Sequence, residues 1–96
     1  AIGVREDMLL VAPLGEDVHT ELGDRLLASG RAAEALAEYE ILFAMQPHDQ
    51  AAAHLKLAKA YNALENATLA REHLLYALEI APNYREAQKM LLEMVR

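Results

Sequence analysis

Ninety-six residues with a net charge of −6 make one small acidic domain. A chain this short buries a modest share of its surface and has little stability in reserve. Its 54% hydrophobic and 25% charged residues exclude a disordered chain, and its charge argues against nucleic acid, whose phosphates demand a basic face.

Ala and Leu contribute 19 and 17 residues, whereas Val, Ile and Thr together number nine. Straight-chain helix formers dominate, so an all-α chain is expected. The first helical block covers 2–12 and is expected to end at Pro13 and Gly15. The second covers 17–29, with Val18, Leu22, Leu26 and Ser29 at helical spacing and Gly30 as its stop. The third covers 32–45 and ends before Pro47. Asp49 then offers a side-chain oxygen to free backbone N–H groups and starts a fourth block over 50–64. Asn66 does the same for a fifth over 67–80, which Pro82 stops. A sixth runs from 84 to 95. No cysteine is present, which excludes disulfides and thiolate chemistry. No signal peptide is visible, and no apolar run approaches the roughly 18 residues of a membrane span, so no membrane partner is expected. The chain opens on Ala1 and closes at Arg96 inside a helical pattern, which reads as a piece of a longer protein.

The three prolines lie 34 and 35 residues apart. Segments 21–47 and 56–82 align without a gap: Leu22 faces Leu57, Gly23 faces Ala58, Leu26 faces Tyr61, Ala35 faces Ala70, Tyr39 faces Leu74 and Pro47 faces Pro82. Small residues recur where two helices must cross closely, at Gly23, Ala35, Ala58 and Ala70. Large ones are expected to fill the space between: Leu22, Leu26, Tyr39, Leu57, Tyr61 and Leu74.

This pattern of Leu-Gly, a large residue three on, Ala, an aromatic and Pro resembles the tetratricopeptide repeat, with His19 and His54 in place of its Trp. The resemblance implies a right-handed α-α superhelix, a solenoid of about six helices. Residues 1–15 would hold the second helix of a preceding partial repeat, 16–49 and 50–82 two repeats, and 83–96 a terminal helix. Arg5 departs from the aromatic that the pattern wants near the start. The family's first helices line a concave face that holds a peptide or a partner's helix. Carried onto this chain, that face includes Thr20, Asp24, Leu27, Leu55, Lys56, Lys59, Asn62 and Lys89.

All three lysines fall on that face, so a basic strip could attract a carboxylate or an acidic peptide. Equally, Lys56 could pair with Glu21, and Lys59 with Asp24 or Glu93, each at small net gain. The carboxylate clamp of chaperone-binding relatives would fall on Thr20, Asp24, Lys56, Glu86 and Met90, of which only one is basic, so acidic chaperone tails are not expected as ligands. No glycine-rich phosphate loop, zinc-peptidase motif or catalytic triad order is present, so no enzyme activity, cofactor or metal is expected. His19 and His54 occupy equivalent places; a metal there would need a third ligand, and the plainer reading makes them packing residues. On the last helix, Leu92 and Val95 either contact more of the parent chain or form an interface with a second copy, or merely cover the second repeat from behind. Three functions follow: a non-catalytic scaffold binding a protein or peptide, a repeat tail of a larger enzyme (71–94 is somewhat similar to tails of bacterial metallopeptidases), or a module that self-assembles through its terminal helices.

Overall fold

A computed structural model describes residues 8–94, with side chains for 15–94. Five helices follow in order: α1 (Met8–Ala28), α2 (Ala32–Ala44), α3 (Gln50–Ala63), α4 (Ala67–Ile80) and α5 (Arg85–Met94). Each packs on its neighbour in sequence as an antiparallel partner. Among the described residues no helix is long and apolar enough to cross a membrane.

Local chemistry accounts for most of the boundaries. Asp49 accepts a hydrogen bond from the Ala52 amide at 2.9 Å, and Asn66 accepts one from the Leu69 amide at 3.2 Å, so both side chains satisfy open amides at helix starts. α1 and α3 end in the same way. After α1, the amides of Gly30 and Arg31 bond back to the carbonyls of Leu27 and Leu26, with Gly30 at φ +81°. After α3, the amides of Glu65 and Asn66 bond to Asn62 and Tyr61, with Glu65 at φ +65°. This is the Schellman turn, whose left-handed residue is normally glycine. α2 begins the same turn through Gln46 at φ +54°, but Pro47 has no N–H to complete it. α4 stops differently: Ala81 is held at φ −135°, ψ 86°, outside the helical region, as the residue before a proline tends to be.

Pro13 does not break the chain. The expected blocks 2–12 and 17–29 are joined in α1, so the described residues form five helices where about six were expected of the chain, and residues 2–7 of the first block lie outside the described residues. Pro13 removes one backbone hydrogen bond of the helix, to the Leu9 carbonyl, yet α1 continues through it and keeps its packing against α2.

Two hydrophobic clusters share α3. Ala35, Tyr39, Leu57 and Ala60 form one, with Leu26, Leu27, Leu36 and Tyr61 packed against it. Ala51, Leu55, Ala58, Leu74, Ala77 and Ala87 form the other, flanked by Tyr84, Met90, Leu91 and Met94. The expected crossing residues Gly23, Ala35, Ala58 and Ala70 are all buried. Leu22 is not the filler expected of it, being 42% exposed where its counterpart Leu57 is 3% exposed. α3 has α1 and α2 in front of it, whereas no described helix pair precedes α1. Leu92 is 65% exposed, so it does not cover the second repeat; Met90, Leu91 and Met94 do. On α5 it is Leu91, rather than Leu92, that faces inward. Val95 lies outside the described residues.

Candidate functional site

The groove residues expected from the sequence are only partly brought together. Lys56 on α3 reaches Asp24 on α1, with Nζ at 2.9 and 3.0 Å from its two carboxylate oxygens. Lys59, one turn on, reaches Glu86 on α5 at 2.7 Å. These two ion pairs tie α1 to α3 and α3 to α5, alternate helices in chain order. Thr20 joins Lys56 in lining a cleft of about 170 Å³ between α1 and α3, floored by Leu42, Pro47 and Ala53. Asn62 is exposed at the end of α3. Leu27 is half-buried against the Tyr39 cluster. Leu55 is 2% exposed and belongs to the core cluster with Leu74 and Ala77 of α4 and Ala87 of α5, so it lines no surface. Lys89 lies on the outer side of α5 with Arg85, Gln88, Leu92 and Glu93, around a separate depression of about 620 Å³.

Lys56 and Lys59 therefore pair between helices, but not with the partners expected. Asp24 takes Lys56 rather than Lys59, and Glu86 takes Lys59 in place of Glu93. Repeat equivalence gives the facing helix, while the stagger between helices gives the partner.

A buried hydroxyl anchors this face. Tyr39, fully buried, donates to Asp24 Oδ1 at 2.5 Å. Burial pushes the Asp24 carboxyl up, but the hydrogen bonds from Tyr39 and Lys56, with the charge of both lysines, outweigh it and leave it below the usual range. Burial first, then the carboxylate, drives the Tyr39 hydroxyl far above its ordinary value, so it remains a donor. The hydrogen bond from Lys59 holds Glu86 below its ordinary value. Each charge is thus partnered, and none of these groups is poised to exchange a proton near neutral pH.

Comparisons with protein-family models, with curated proteins and with solved structures find no match to this chain.

On the opposite side of α3, the two histidines aligned in the sequence have separate partners. His19 Nδ1 lies 2.6 Å from Glu38 Oε1, and His54 Nδ1 lies 2.9 Å from His73 Nδ1. Each pair is nineteen residues apart, so His73 is the counterpart of Glu38 one repeat on. His54 also packs against Phe43 at 4.8 Å between ring centroids, and Tyr61 stacks on His73 at 5.5 Å. The sequence signal for His73 was present, since it falls 35 residues after Glu38. Among the described residues no group of three or more His, Cys, Asp or Glu could hold a metal ion.

Proposed function

We propose that this chain is a non-catalytic interaction module of the tetratricopeptide kind, a solenoid that presents the aligned faces of α1, α3 and α5 to a peptide or a partner's segment. The observation that carries this reading is the pair of ion bridges, Lys56–Asp24 and Lys59–Glu86, which link alternate helices across one face. Five helices stacked in sequence, with α3 shared between two clusters, support it. So does the burial of small residues at equivalent crossings. The bridged lysines give up part of their pull on an acidic ligand, so shape and the Thr20 cleft contribute alongside charge. A ligand carboxylate must compete with Asp24 and Glu86, which disfavours acidic chaperone tails.

The test is a displayed peptide library panned on the chain. Binders to this face should lose at least roughly tenfold in affinity for Lys56→Glu, Lys59→Glu protein, as expected when the charge of a contact is inverted. Binders indifferent to both changes would assign recognition to another surface.

A second reading is favoured by exposed apolar side chains at both ends. Val18 and Leu22 are 57% and 42% exposed on α1, and Leu92 is exposed on α5. Self-assembly through these helices would cover them. Light scattering at rising concentration separates the readings: a strict monomer throughout removes this one.

A further inference from the structure

The His54–His73 contact joins α3 to α4 through two ring nitrogens, Nδ1 to Nδ1, at 2.9 Å. A hydrogen bond between two imidazoles needs one nitrogen with a proton and one with a free lone pair. In the neutral pair, one ring donates from Nδ1 and the other carries its proton on Nε2. A first added proton goes to Nε2 of the donor ring, and the bond is kept. A second can only go to the accepting Nδ1. Two N–H groups and two positive charges then face each other, so the bond cannot survive.

The surroundings make that second step costly. His54 is buried, with Phe43 of α2 against it. Tyr61 of α3 and Tyr76 of α4 lie against the pair. Glu72 of α4 is the charged group that favours a proton on His73. From α2, Glu40 acts on the Tyr61 hydroxyl. Aromatic rings thus flank His54, while Glu72 favours a proton on His73.

The first repeat supplies an internal contrast. His19 meets Glu38 at the equivalent place. A carboxylate accepts from the ring whether the ring is neutral or charged, so that contact survives protonation.

We propose that His54 and His73 form a proton-operated clasp between α3 and α4, closed at neutral pH and released once both rings are charged, while the equivalent His19–Glu38 contact stays shut. Burial, with His73 adding to it, pulls the His54 pKa down; burial pulls His73 down against Glu72. Both lie below the ordinary value of 6.5, so the unfolded chain binds more protons than the folded one as pH falls past that point. Stability is unaffected above it, declines as pH drops below it, and levels off only past the lower folded-state values.

The experiment is thermal unfolding of the full chain between about pH 7.5 and about pH 5.5, for the native sequence, His73→Glu and His73→Gln. The native Tm should fall by several degrees. His73→Glu, which transplants the first repeat's pair, should flatten or reverse that fall, and His73→Gln should flatten it. A fall of native size in both variants would overturn the clasp. Should neither variant fold at neutral pH, ring-nitrogen NMR titration of the native chain decides. Two unequal steps, both below the ordinary histidine value, support the clasp; two independent ordinary titrations overturn it.

Discussion

Gly23 leaves no room for a side chain. A Cβ built there would lie under 3 Å from three atoms of the Tyr39 ring. The ring cannot retreat easily, because its hydroxyl is bonded to Asp24 and its body is fully buried. Gly23→Ala should therefore lower stability by about 1–3 kcal/mol, and Gly23→Leu by more, as overpacked crossings do. Urea denaturation measures the difference; an unchanged midpoint for Gly23→Leu would refute the crossing. The sequence marked Gly23 as a small residue at a helix crossing. It did not show that Tyr39 is the residue closing that space, or that its hydroxyl serves Asp24. Those facts depend on two side chains fifteen positions apart meeting across a helix pair.

The helix ends obey rules acting over three to six residues, which is why they were legible in the sequence. α4 runs over 67–80 as expected, and α2 and α3 differ from expectation by one residue. The same rules expose a weak point. Glu65 holds φ +65° in a Schellman turn where the first repeat uses Gly30. A side chain in the left-handed region costs about 1–2 kcal/mol, so Glu65→Gly should stabilise the domain by about 1 kcal/mol. Gly30→Ala should cost a similar amount. Thermal melts of the two variants should move in opposite directions; a shift of the same sign in both would contradict the shared turn. Pro13 shows where local rules stop. A proline is read as a helix end, yet α1 continues through it, because the rest of the helix gains its packing against α2.

The stack of helices is bridged by charge on one side and by histidines on the other, and acid acts on the two sides over separate ranges. Asp24 and Glu86 lie below ordinary carboxyl values of 3.8 and 4.5. The stability they add is present above those values and is lost as pH falls through the lower folded-state ones. The histidine clasp acts earlier, below 6.5. Acid unfolding should therefore show two declines. Half-exposed lysine pairs are each worth little and are screened by salt, so roughly 0.5 M NaCl should shrink the lower decline more than the upper. Melting temperatures across a pH series at two salt concentrations give the answer; a single decline confined to the carboxyl range would count against the upper component.

Helix content, the caps at Asp49 and Asn66 and the stops at Gly30, Pro47 and Pro82 are legible in the sequence alone, because each depends on a residue and its near neighbours along the chain. The buried alanines at the crossings belong with them, since they follow from the repeat. Only the tertiary structure decided the pairings. It set Lys56 on Asp24, Lys59 on Glu86 and His54 on His73, took Leu55 into the core, and left Leu22 and Leu92 in solvent. Equivalent positions in a repeat share a conformation but not a neighbour. What each side chain meets depends on the stagger between helices and on whether another helix pair stands in front.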